Sequence, residues 1–124
     1  MEDIVKWTAD DIVRKAEEIA AQLTRDKLKT GQIRNFYSAI TRMRTDFSVG
    51  GEKVSDTLKM DISMLKPKLA YAAGRQTAVR ATFYPVMKSA VDGIVNSGYH
   101  PAAMRNFFML VESIVAYHKF YGGE

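Results

Sequence analysis

The stretch LKMDISMLKPKLAYAAG, residues 58–74, decides the fold. Its apolar residues recur every three or four positions, which is the period of one face of an α-helix; they are Leu58, Ile62, Leu65, Leu69 and Ala72. Gly74 is a typical stop after such a face. Pro67 falls inside the stretch without changing its phase. We therefore expect a helix from about residue 53 to Gly74 that is kinked or restarted at the proline.

Upstream of this stretch, two more segments have the helical period. Thr8 followed by Asp11 predicts a capped start for a first helix. Thr30 is the candidate cap of a second helix, which the pair Gly50-Gly51 ends. Both segments are therefore predicted to be helical.

Downstream, residues 76–96 predict a weaker fourth helix whose continuity is threatened by Pro85. Pro101 suits the first turn of a last helix that reaches Tyr121. No window alternates apolar and polar residues as a strand does. The sequence predicts an all-α, compact bundle of about five helices in a single domain, residues 1–124.

The composition excludes several classes of protein. The chain has no cysteine, which removes a disulfide framework, a thiolate zinc site and thiol chemistry. Acidic residues in the first twenty positions do not fit a signal peptide, and no apolar run is long enough to cross a bilayer. We expect a cytoplasmic protein without a membrane partner.

The net charge of +4 is unevenly distributed. Residues 1–24 have a net charge of −3, residues 25–88 of +8, and residues 89–124 of −1. A basic excess in the middle of a small domain is typical of a polyanion partner. The alternative is an ordinary solvated surface.

The sequence contains no recognisable catalytic group, so we predict that the protein is not an enzyme. His118 lies within an apolar helical face, so we expect a packed and hydrogen-bonded side chain, and His100 precedes a proline as a turn residue does. No phosphate-binding glycine loop or nucleophile motif is present. We expect no metal and no cofactor.

The basic residues of the third helix are better organised. Helical spacing places Lys53, Lys68, Tyr71 and Arg75 on one face, with Lys59 and Lys66 on the other flank of the apolar stripe. Such lysines and arginines neutralise phosphates, and a tyrosine can stack on a base or ribose. The alternative is that the lysine stems simply cover apolar surface.

The last helix is apolar on two sides. A second stripe is separated from the main face by Arg105, Glu112 and Lys119, and consists of Met109, Ala116 and Phe120. A helix of this kind is buried on two sides or used for association. We predict a subunit interface, for self-assembly or docking to a larger partner, at Arg105, Met109, Ala116, Lys119 and Phe120.

Three segments resemble one family, the small helical subunit of the type III-A CRISPR (Csm) effector ribonucleoprotein. Thr30-Gly-Gln-Ile-Arg-Asn-Phe-Tyr-Ser38 is similar to a helix start of that family, and Leu65 to Arg75 is similar to its central Tyr…Gly-Arg motif. Val111-Glu-Ser-Ile-Val-Ala-Tyr-His-Lys-Phe-Tyr-Gly-Gly123 resembles its C-terminal motif almost completely. Thr77 to Pro101 matches only in helical character.

The resemblance implies a prokaryotic, non-catalytic subunit that stacks into a minor filament as a homo-oligomer. Its partners would be the guide RNA, the target RNA, the repeated backbone subunits and the large multidomain subunit. Carried onto this sequence, the RNA contacts are Arg34, Lys68 and Arg75, with Lys53, Lys59, Lys66 and Tyr71 added by charge, ring chemistry and helical phase. Two alternatives stay open: a structural bridging subunit without RNA contact, and a free-standing helical nucleic-acid-binding protein.

Overall fold

A computed structural model describes residues 3–123, and these residues form an all-α bundle. After a 3₁₀ turn, Ile4–Lys6, come the five helices α1 (Ala9–Arg25), α2 (Thr30–Val49), α3 (Asp56–Arg75), α4 (Tyr84–Asn96) and α5 (Pro101–Phe120). No strand occurs within the described range. The predicted fold class and the number of helices are therefore confirmed.

The caps of the first two helices differ from each other. Thr8 Oγ1 accepts a hydrogen bond from the Asp11 N–H at 3.1 Å, and Asp11 Oδ2 accepts one from the Thr8 N–H at 2.9 Å. The predicted cap of α1 is therefore confirmed. Thr30 was wrongly predicted as the cap of α2, because it is already the first helical residue. There the Gln32 side chain accepts the Lys29 N–H at 2.8 Å and satisfies the helix start.

Helix α3 is one continuous helix, so the restart expected at Pro67 does not occur. It begins at Asp56, later than predicted, because Ser55 caps it by accepting the Leu58 N–H at 3.1 Å. Pro67 lies on the exposed side of the helix. The carbonyl of Ser63, which has no proline N–H to accept, therefore faces water rather than the core.

The predicted fourth helix is divided into two parts. A π-helical turn, Val79–Phe83, leads directly into α4, and the Tyr84 N–H donates to the carbonyl of Val79, five residues back. Pro85 falls in the first turn of α4, a position that helices tolerate well. The proline therefore marks a change of helix type rather than a break.

Helix α5 is the centre of the core. Its most extensive packing is against α1, while α3 packs mainly on α4. Met104, Phe107, Leu110 and Ile114 are almost completely buried. The Asn106 amide donates to the carbonyls of Ile4 at 2.7 Å and Trp7 at 3.3 Å, which fixes the N-terminal turn against α5. Helices α2 and α3 are thereby left with broad exposed faces.

Candidate nucleic-acid interface

Most basic residues in the middle of the chain have no carboxylate partner among residues 3–123. Thirteen lysines and arginines lie between residues 25 and 88. Among the described residues only three of them form ion pairs: Arg44 with Glu112, and both Lys66 and Lys88 with Asp92. Most of the positive excess is therefore available to an external polyanion.

One flank of α3 presents two cations and an aromatic ring. Lys68, Tyr71 and Arg75 follow one another at spacings of three and four and are all exposed. The Arg75 guanidinium lies 5.6 Å from the centre of the Tyr71 ring, and its Nη1 donates to the Tyr71 hydroxyl at 3.1 Å. Tyr71 is 67% exposed. An exposed ring held beside a cation can stack on a base or ribose while the cation meets a phosphate.

The opposite flank of α3 binds the α4 side of the bundle. Lys66 Nζ lies 2.6 Å from Asp92 Oδ1 on α4, and Lys59 Nζ lies 5.6 Å from the centre of the Tyr99 ring. The hydrogen bond from Lys66 lowers the pKa of Asp92, against the opposing effect of burial. These two predicted RNA contacts therefore have partners within the chain, on the other flank from Lys68.

Helices α2 and α3 enclose a cleft beside Lys68. This α2–α3 cleft has a volume of about 330 Å³ and is lined by Gln32, Ile33, Asn35, Phe36, Ala39, Arg42, Leu65, Lys68, Leu69, Ala72, Val79 and Phe83. No carboxylate is among these lining residues. Arg42 and Lys68 thus place two cations, one from each helix, at a mostly apolar hollow.

Of the seven predicted RNA contacts, only Lys68 lines the cleft, and Arg34 and Lys53 lie apart from it on α2 and in a loop. Arg34 is exposed on α2, but at 100° per residue its side chain leaves the helix about 80–100° away from those of Asn35 and Arg42. Lys53 is exposed in the loop before α3. Of the seven residues predicted to bind RNA, the structure brings Lys68, Tyr71 and Arg75 together on one flank.

Arg42 is one of the thirteen basic residues between residues 25 and 88, and neither it nor the polar residues of the cleft was predicted to form a site. The available signal was the spacing of seven between Asn35 and Arg42, which places them on the same face of α2. Phe36 lies at helical spacing from the buried Ile33 and Ile40 and is half-buried, but it also lines the cleft. Its second role depends on where α3 lies, which the α2 sequence does not reveal.

A larger hollow at the other end of the bundle lacks this chemistry. It has a volume of about 600 Å³ between the N-terminal turn and α4, and no lysine or arginine lines it. His100 borders it, but its Nδ1 accepts the Ala102 N–H at 3.0 Å and caps α5. His100 therefore lies in the loop before α5, as expected, but as the N-cap of that helix rather than as a turn residue.

The predicted interface residues on α5 are all exposed. Met109 is 44% and Phe120 80% exposed, and the other members are Arg105, Ala116 and Lys119. Arg105 Nη1 donates to Glu52 Oε1 at 2.5 Å. Glu112, between the stripes, pairs with Arg44. Two of the charged residues between the apolar stripes therefore tie α5 to α2 and to the loop that follows it.

The C-terminal motif has a structural explanation. His118 is 1% exposed, and its Nε2 lies 2.8 Å from the carbonyl of Leu28, as predicted for a packed histidine. Gly122, at φ +90°, and Gly123 close a Schellman turn through N–H bonds to the carbonyls of Lys119 and His118. A Cβ on Gly123 would overlap the His118 ring. Only glycine fits this contact.

Residues 3–123 contain no group of three or more histidines, cysteines, aspartates and glutamates placed to hold a metal ion. Within the same range, none of the helices combines the length and the apolar character that crossing a membrane requires.

Comparisons with known proteins agree on one family. The family model described as Csm2 Type III-A matches residues 6–124. The chain is similar to a protein of Streptococcus thermophilus described as "CRISPR system Cms protein Csm2", with 30% identity over 122 residues that cover 94% of this chain and 96% of that protein. No solved structure matches the chain.

Proposed function

We propose that this chain, which belongs to the Csm2 Type III-A family, holds the guide RNA–target RNA duplex through phosphate and ribose contacts. Its family membership makes it a Csm2 subunit of the type III-A CRISPR complex. The residues that make these contacts are Arg42, Lys68, Tyr71 and Arg75, which we call the RNA surface. Base pairing between guide and target reads the sequence, so the subunit needs no base-reading helix.

The observation that carries the proposal is the pairing pattern of the α3 cations. Lys68 and Arg75 are exposed without a carboxylate partner among the described residues, whereas Lys66 on the other flank is held by Asp92 at 2.6 Å. A cation without a carboxylate partner can meet a phosphate directly, whereas a paired lysine such as Lys66 would first have to leave its carboxylate. Seven residues along α3 separate Lys68 and Arg75 by about 10 Å, so the two can meet different phosphates.

The physical basis of the proposed binding is the release of counterions. Each lysine or arginine that neutralises a phosphate displaces condensed cations from the RNA, which favours binding at low salt. These contacts fix the position of the duplex and carry no sequence information. Tyr71 adds a ring that the Arg75 hydrogen bond holds in place.

The proposed subunit also stacks with other copies into a minor filament, beside the repeated backbone subunits and the large multidomain subunit. The exposed part of α5 supports this association, since Phe120 is 80% and Met109 44% exposed. Apolar side chains of this size are more stable when another protein covers them. RNA binding and assembly then use different surfaces, and target cleavage belongs to other subunits.

Charge reversal on the RNA surface tests the proposal. The double variant Lys68→Glu, Arg75→Glu is assembled with the other subunits and guide RNA, and its affinity for target RNA is measured against salt. We expect assembly to persist and the affinity to fall at least tenfold at low salt. Lys6→Glu is the control, because Lys6 is exposed on the N-terminal turn, away from α2 and α3.

A structural bridging subunit without RNA contact is the second candidate. The exposed Phe120 and the Arg105–Glu52 pair favour a surface built to receive another protein. On that account the double reversal disrupts assembly and leaves the RNA affinity of any assembled complex unchanged. Intact assembly with weakened, less salt-dependent RNA binding supports the RNA surface instead.

A further inference from the structure

We infer that the α2–α3 cleft is a binding site for one unstacked nucleobase of the target RNA, with Arg42 and Lys68 holding its phosphate. The inference rests on the proposed RNA binding and goes beyond it, because backbone contacts alone do not require a cleft. At about 330 Å³ the cleft lies at the small end of the range of about 300–1,000 Å³ for small-molecule sites. It has room for a single nucleotide, not for a duplex.

The walls of the cleft suit a flat, apolar ligand. Phe36 of α2 and Phe83 of the π-helical turn both line it, with their ring centres 5.3 Å apart and their planes at 88°. Phe83 is buried, so this edge-to-face contact fixes the half-buried Phe36 ring. A fixed aromatic ring is a stacking platform for a base, and every base has a π-face. Phosphate alone would be poorly solvated against such walls.

The polar groups of the cleft suit the edge of a base. Gln32 Oε1 already accepts the Lys29 N–H at 2.8 Å, which leaves its NH₂ group as a donor. The Asn35 side chain is exposed and makes no hydrogen bond with another described residue, so it offers both a donor and an acceptor. Ring nitrogens and carbonyls of bases accept such donors.

The charges of the cleft favour RNA over an apolar side chain of another subunit. Arg42 and Lys68 come from different helices and meet at the same hollow, and no carboxylate lines it. An aliphatic or aromatic side chain would gain nothing from two cations. A nucleotide would use the aromatic wall, the polar groups and the cations of the cleft. Its ring stacks, its edge accepts hydrogen bonds and its phosphate meets the cations.

The test combines abasic sites in the RNA with a variant that fills the cleft. Ala39→Leu adds a side chain to the lining without changing any charge. Target RNAs with a single abasic site at each position in turn are bound to complexes assembled with the wild-type or the variant chain. At a position whose base occupies the cleft, the abasic site is expected to cost the wild-type complex about tenfold in affinity, as for about 1.4 kcal/mol of lost stacking, and to cost the Ala39→Leu complex little. At a position whose base pairs with the guide, the abasic site removes a base pair and should cost both complexes the same.

Three outcomes overturn the inference. If every abasic site costs the same affinity in both complexes, no base enters the cleft. The proposed RNA surface would still stand in that case if RNA binding depends on salt. If Ala39→Leu prevents assembly and abasic position has no effect, the cleft receives another protein. If the wild-type complex binds RNA without needing Lys68 and Arg75, the proposed function fails together with the inference. Asn35→Ala serves as a second variant, since the exposed Asn35 has no structural partner to lose.

Discussion

The neighbouring lysines of α3 provide a sharp prediction, because the structure gives them opposite roles. Lys66 Nζ lies 2.6 Å from Asp92, whereas Lys68 is exposed on the flank that carries Tyr71 and Arg75. We consider the single variants Lys66→Ala and Lys68→Ala, which remove the same charge from positions two residues apart. Lys66→Ala should lower stability with little effect on RNA binding, and Lys68→Ala should do the reverse.

The sizes of both effects follow from the structure. The Lys66 and Asp92 side chains are each 37% exposed, so solvent screens the pair and its contribution is about 0.5–1 kcal/mol. With an unfolding entropy of about 2.1 cal/mol/K per residue, a chain of this length should lose about 2–4 °C in Tm. Lys68 has no partner among the described residues, so its removal should change Tm by less than about 1 °C. Its lost phosphate contact should reduce the salt slope of single-stranded RNA binding by roughly 0.7.

Two measurements on the same preparations distinguish the roles of Lys66 and Lys68. Thermal unfolding followed by circular dichroism gives Tm, and fluorescence anisotropy at several salt concentrations gives the slope of log affinity against log salt. Equal loss of affinity in both variants would show that α3 binds RNA through net charge rather than through one flank. A weaker Lys68→Ala complex with an unchanged salt slope would refute the phosphate contact.

Three further variants test the structure itself. Lys27→Gly should stabilise the chain by about 0.5–1 kcal/mol and raise the urea midpoint, because Lys27, two residues after the end of α1, has φ 63°, where glycine is preferred. His118→Leu should cost about 2 kcal/mol in the same assay, since it leaves the buried carbonyl of Leu28 without its donor. Asp92→Asn should remove part of the pH dependence of folding stability. The hydrogen bond from Lys66 lowers the Asp92 pKa below 3.8 in the folded chain. The carboxylate therefore stabilises the fold above that pH and ceases to do so on acidification. The stability difference between wild type and Asp92→Asn should therefore be largest near neutral pH and shrink below about pH 4.

Each of these expectations has a contradicting result. A lower urea midpoint for Lys27→Gly would show that the Lys27 side chain makes a contact worth more than its backbone strain. An unchanged midpoint for His118→Leu would mean that water reaches the carbonyl of Leu28. A stability difference for Asp92→Asn that grows on acidification would reverse the assigned sign of the pKa shift.

The sequence predicts the helices well, because their signals are local. The Thr8–Asp11 cap and the apolar face from Leu58 to Leu69 depend on residues within a few turns of one another. The two errors also concern local signals. The Gln32 side chain, not Thr30, satisfies the start of α2. Pro67 stays inside α3, where it lies on the exposed side of the helix.

The sequence does not predict which cations are available. Lys66 and Asp92 are 26 residues apart, and their contact exists only because α3 packs on α4. Charge and helical phase alone therefore make Lys59, Lys66 and Lys68 candidates for RNA contact. Only the structure shows that Lys59 and Lys66 have partners within the chain. The α2–α3 cleft depends in the same way on three segments distant in sequence. Its one local signal, the spacing of Asn35 and Arg42, has no meaning until a partner helix is known.

Ultraviolet crosslinking of RNA within the assembled type III-A complex, followed by mass spectrometry of the crosslinked peptides, shows whether this chain touches RNA and through which helices. We expect crosslinks in this chain to fall in α3 around Tyr71 and on the cleft side of α2, and the double variant Lys68→Glu, Arg75→Glu to remove them. A complex that crosslinks RNA through its other subunits, with no crosslink in this chain or only crosslinks in α1 or α5, would contradict this expectation.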